Sequence, residues 1–171
     1  MWGRGKKLPA ERRPALDRDE RVLGWAATAD DGTVVTTNRG LWLPGRAERL
    51  GWHEIHKATW DNPRLTVTPG VRVEERDGYT VMADQPTIAV SLTEPGNVPS
   101  QINTRVTRSV AASTHHTLTT GGGVRVVSRR VPGVDGVTWH VRYDEGTDAH
   151  DPLVVLQTAQ LVAEAAHVPA D

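Results

Sequence analysis

The chain is predicted to be mainly β with added α (α+β): an antiparallel bent β-barrel or sheet with a middle helix and a C-terminal helix. Three observations carry that prediction. Val and Thr dominate the middle of the chain, and such side chains favour strands. Turn signals such as Asp31-Gly32, Pro44-Gly45 and Asp77-Gly78 recur between short apolar runs, as in a succession of hairpins. After Asp151-Pro152 the apolar residues take up a helical period.

Residues 1–19 mix basic and acidic side chains with Pro9 and Pro14 and show no apolar period, so a flexible charged arm is expected. A sharper reading makes it a tether, with Trp2, Arg4, Lys6 and Lys7 pressed against a partner or an anionic surface. A single β-rich domain is expected over residues 20–171. Residues 22–26 and 33–37 form a hairpin around Asp31-Gly32. Residues 41–43 and 49–52 form the next pair. Residues 54–60 fit either a helical turn or an irregular strand. After Asn62-Pro63, residues 64–68 alternate as a strand. Residues 71–75 and 79–83 flank Asp77-Gly78, and 87–92 place Ile88, Val90 and Leu92 on one face.

Ile102, Val106 and Val110 recur at i, i+4, i+8, which predicts a helix over 98–113 with Asn97 as N-cap. Strands follow at 116–120 and 124–129 around Gly121-Gly122-Gly123, then at 137–143. The last helix runs from Pro152 to about His167 behind an Asp151 cap, and Leu153, Leu156, Ala159 and Val162 are expected to cover the sheet. With no Phe and six Trp, the heavy aromatic burial must come from Trp25, Trp42, Trp52, Trp60 and Trp139 with Tyr79 and Tyr143, and Trp25, Trp42 and Trp139 on strands are expected core members.

Composition removes several functions. The absence of Cys rules out disulfides, thiol nucleophiles and Cys-held metals. A net charge of -1 argues against nucleic acid as a partner. The first residues lack the apolar stretch of a secretion signal, and no run approaches the length of a membrane span, so a cytoplasmic protein is expected. The preference for Arg, Ala, Gly and Val over Lys, Ile and Phe fits a GC-rich genome of actinobacterial type.

The step Thr36-Thr37-Asn38-Arg39-Gly40-Leu41, followed by residues 50–60 with Glu54-Ile55-His56-Lys57-Ala58, resembles bacterial pleckstrin-homology-like (PH-like) domains. The resemblance covers about residues 20–113. It implies a bent, seven-stranded barrel capped by a helix, a fold that hosts lipid, peptide and protein recognition and carries no chemistry of its own. Residues 114–168 would add a hairpin and a second helix, either completing the barrel or packing outside it.

No catalytic, cofactor or metal constellation emerges. His115 and His116 are adjacent and point to opposite sides of a strand. His53 and His56 would need a third ligand such as His140 or His150, at no recognised spacing. The three glycines lack the Lys-Ser/Thr ending of a phosphate loop. Ser109, His116 and Asp144 lack a nucleophile elbow. The acidic stretch 144–148 lacks calcium-loop spacing and reads as a turn into the last helix. Arg105 and Arg108 on the middle helix, with Arg125, Arg129 and Arg130 beyond the glycines, are the candidate anion- or partner-binding residues. Pairing with Glu74, Glu75, Asp144 or Glu145 is the plainer reading. The function expected is a non-enzymatic binding or accessory module engaging a protein partner. The alternatives are weak association with anionic membrane and a small enzyme whose pocket is assembled from distant residues.

Overall fold

The computed structural model describes residues 6–167. Among them the chain forms β1 (Val22–Thr28), β2 (Thr33–Thr37), β3 (Gly40–Trp42), β4 (Leu50–Gly51), β5 (Ile55–Asp61), β6 (Arg64–Arg76), β7 (Tyr79–Asp84), β8 (Ile88–Thr93), α1 (Val98–Ser109), β9 (Val110–Thr117), β10 (Gly123–Arg129), β11 (Thr138–Tyr143) and α2 (Pro152–His167). The mainly-β, α+β class is therefore present. The chain divides into two compact units, the first built on residues 1–70, 84–109 and 131–134, the second on 71–83, 110–130 and 135–171.

In the first unit the strands pair antiparallel in the order β4-β3-β2-β1-β8-β6, with β5 on β6. The expected hairpin at Asp31-Gly32 is β1–β2, in register through Trp25 and Val35. Asp31 takes the left-handed conformation at φ 67°, which Asp tolerates better than most side chains. Of the two alternatives for residues 54–60 the irregular strand is found: Ile55 onward is β5, with a register shift between Ile55 and Lys57, and only Glu54 belongs to the preceding 3-10 turn at Trp52–Glu54. Residues 64–68 and 71–75 are one thirteen-residue strand, β6. Val34, Leu41, Ile55, Leu65, Val67 and Ile102 are fully enclosed in this unit's core.

The helix expected over 98–113 stops at Ser109, and residues 110–113 open β9 instead. Ala111 and Ala112 favour a helix while Val110, Ser113 and Thr114 do not, and pairing with β10 from Val110 onward offers the backbone a ladder that prevails. Val98 and Ile102 are the buried apolar residues of α1, with Val106 packed beside them.

The second unit places β7-β11-β10-β9 side by side, β7 and β11 running parallel and the other pairs antiparallel. Asp151 caps α2 as expected, its Oδ1 accepting the Leu153 N–H at 2.8 Å. The buried face differs from the expected one. Leu153 and Leu156 are 60% and 57% exposed, while Val154, Thr158 and Val162 are buried and Leu161 and Ala165 pack beside them. Thr158 sets that rotation: its hydroxyl donates to the Val154 carbonyl and accepts from the Tyr143 hydroxyl at 2.8 Å. A threonine so satisfied lies inside without an orphaned polar group.

The tryptophans meet the expectation only in part. Trp25, Trp42 and Trp139 are half-buried, and Trp52 is the enclosed one at 2% exposure. Its indole N–H donates to the Thr37 carbonyl at 3.0 Å. Truncating Trp52 removes a large apolar group and leaves that carbonyl without its donor. Trp52→Ala should lower unfolding free energy by about 3–5 kcal/mol, the range for fully buried aromatics. Trp139→Ala should cost clearly less, and urea denaturation of the two variants side by side measures the difference.

Candidate functional site

The expected flexible arm is, over its described residues, laid along the first unit. Arg12 reaches the β1–β2 turn, donating to the Gly32 carbonyl, the Thr33 hydroxyl and Asp31 at 2.6–3.1 Å. Arg39 pairs with Asp19, and Arg49 with Asp17 at 3.1 Å. The anchor is Glu20, whose side chain is 0% exposed. Its carboxylate accepts from Thr37 Oγ1 (2.7 Å), Trp42 Nε1 (3.0 Å), Arg49 Nη1 (2.6 Å) and the Asp17 N–H (3.0 Å). Burial is the largest single influence and opposes ionisation. The bonds from Thr37, Asp17 and Trp42 with the charge of Arg49 together outweigh it and hold the carboxyl below its ordinary value.

Between this segment and β1 lies a groove of about 1100 Å³. Val22, Leu23, Trp25 and Ala26 form its floor, and Lys6, Lys7, Leu8 and Arg13 its far wall. The exposed side chains of Lys6, Lys7, Arg13, Arg21 and Glu94 form its rim. Trp25 ties floor to wall: its indole N–H donates to the Lys6 carbonyl at 2.7 Å, and the Lys6 ammonium sits 5.2 Å from the ring centre. Residues 22–27 line the groove consecutively. Side chains alternate between the two faces of a strand, so an unbroken run of lining residues means that the groove meets β1 along its edge.

That edge is open. Among the described residues β1 pairs with β8 only at Ala27 and Thr28. The β1–β2 register shifts between Val22 and Gly24. Gly24 permits a close approach there, since a Cβ would lie 2.7 Å from Gln101 Oε1. Gln101 of α1 donates to the Leu23 carbonyl at 3.2 Å, where a neighbouring strand would otherwise donate. Of the groove, the sequence flags only Lys6 and Lys7 of the tether; an open main-chain edge leaves no side-chain signature.

The arginines singled out in the sequence fall on both units. Arg105 and Arg108 lie on α1 in the first; Arg125, Arg129 and Arg130 lie on and directly after β10 in the second. Arg125 donates to the Ser113 hydroxyl at 3.2 Å and Arg130 to the Val110 carbonyl at 3.3 Å. Arg129 is buried, and burial with the like charge of Arg142 pulls it down to about 10. It stays cationic at neutral pH. Of the tether, Lys6 and Lys7 are exposed at the groove; Trp2 and Arg4 lie outside the described residues. Asp144 pairs with His115 at 2.8 Å, while His116 meets Thr114 and Ser109 donates to the Val106 carbonyl. Each is engaged locally.

No family model, curated protein or solved structure matches the chain.

The Glu20 cluster gives a pH test. Its folded pKa lies below the unfolded value near 4.5, so its stabilisation is present above that value and is lost as pH falls through the folded pKa. Glu20→Gln should cost about 1.5–3 kcal/mol at neutral pH, the worth of a hydrogen bond to a charged group. It should also flatten the acid limb of the stability curve. Urea midpoints of both proteins between pH 3 and 7 read this out, and identical acid limbs would remove Glu20 from the account.

Proposed function

We propose that the protein is a non-enzymatic cytoplasmic module that engages a protein partner by taking an extended segment of it against the open edge of β1. The observation that carries this reading is the groove beside residues 22–26, where strand β1 has a neighbour on one side only. Adding a strand to such an edge gives affinity through main-chain hydrogen bonds and specificity through alternate side chains. Unpaired edges invite pairing, and proteins normally cover or blunt them. The bacterial PH-like resemblance agrees with this role, since such folds serve recognition. It is supported by seven antiparallel strands leading into α1 in the first unit.

The test is selection from a displayed library of random linear peptides, followed by amide hydrogen exchange on the complex. Selected peptides should bind one to one and slow exchange at residues 22–26. Library failure, or protection confined to another surface, would sink the reading. Membrane association, the second reading of the rim cations, is checked by the same protein against anionic vesicles.

A further inference from the structure

We infer that the segment taken by the β1 groove is acidic. This rests on the reading of the groove as a peptide site and names the partner's chemistry. The rim carries Lys6, Lys7, Arg13 and Arg21. Glu20, which also lines the groove, is fully engaged by its four donors. Glu94 is the other carboxylate there, 85% exposed and 3.6 Å from Lys6. Lys7, Arg13 and Arg21 are exposed and make no ion pair among the described residues. In a chain of net charge -1, three such cations around one groove are a local excess that opposite charge would meet.

A strand added to β1 would turn every second side chain toward one face, with Leu23, Trp25 and Leu8 offering apolar surface. Lys6 lies over the Trp25 ring, so carboxylates on that same face would meet the cations. The open stretch, residues 22–26, matches a segment of about five residues, roughly 17 Å at strand rise.

The probes are three capped peptides of equal length, Ser-Glu-Val-Glu-Val-Glu-Ser and its Gln and Lys counterparts, titrated into the full chain. The acidic peptide should bind at least about tenfold more tightly than the Gln peptide, and the Lys peptide should bind weakest. Because the rim is solvent-exposed, acidic-peptide affinity should fall as sodium chloride rises from about 50 to about 500 mM. The variant Lys7→Glu/Arg13→Glu/Arg21→Glu should lose at least about tenfold in affinity for the acidic peptide and gain for the Lys peptide. Thermal melts establish that it is folded; should it not be, Lys7→Gln and Arg21→Gln singly should each weaken the acidic peptide alone. Protection of residues 22–26 in hydrogen exchange locates the bound peptide.

Equal binding of all three peptides with that protection would overturn the acidic preference and leave the peptide site standing. Binding of none of them, together with an empty library selection, would overturn both. Vesicles of phosphatidylglycerol and phosphatidylcholine are the remaining arm. Rim-dependent binding to them, with no peptide bound, would assign the cations to a membrane surface and overturn the inference.

Discussion

The buried carboxylate of Glu20 is the constraint on which the first unit depends. A charge without solvent costs several kcal/mol to enclose, and only close donors offset it. Here the donors come from four places in the chain: the Asp17 N–H before β1, Thr37 at the end of β2, Trp42 on β3 and Arg49 ahead of β4. Thr37 does more than donate. Its hydroxyl oxygen accepts the N–H groups of Arg39 and Gly40, which shapes the Asn38-Arg39-Gly40 turn, and its carbonyl accepts from Trp52. One carboxylate and one threonine thus fix where three strands meet and which tryptophan goes inside.

The same contact determines the candidate site. Glu20 immediately precedes Arg21 and β1, so holding it fixes where the preceding segment leaves the sheet. Arg12 then ties that segment to the far end of the β1–β2 hairpin at Asp31. With both points held, residues 6–13 stand beside β1 without pairing to it as a strand, and the space between is the groove. Stability and the open edge share an origin: the acid that closes the core also holds the wall of the cleft.

The hairpins were legible because turn chemistry is local. Asp31-Gly32 and Asp77-Gly78 state their conformations within two residues, and Gly78 takes φ 83°. The ends of α2 were legible for the same reason, through Asp151 and Pro152. Its buried face was not. Leu, Val and Ala are all apolar, so spacing left several stripes open, and the choice was made by Tyr143, Thr158 and the valines around them. The C-terminal end of α1 was hidden similarly: Ala111 and Ala112 favour a helix, and only the distant β10 draws residues 110–113 into a strand. Groove and edge were the least legible, because main-chain groups are identical at every position.

A count of arginines misleads about where free charge lies. In the second unit Arg76 is clasped by Glu74, the Tyr143 hydroxyl and the Ala149 carbonyl, at 2.7–3.1 Å, and its guanidinium lies 5.8–6.0 Å from the rings of Tyr79 and Tyr143. Arg125 and Arg130 bond to β9. These guanidiniums act as multi-armed donors that satisfy carbonyls and hydroxyls, a use for which a planar fork suits Arg better than Lys. The cations at the groove differ in kind. Lys7, Arg13 and Arg21 are exposed, and no carboxylate among the described residues pairs with them. Sequence cannot separate the two populations, since both are Arg among polar neighbours. What separates them is whether folding brings an acceptor within reach, and for Lys7, Arg13 and Arg21 no carboxylate among the described residues comes close enough to pair.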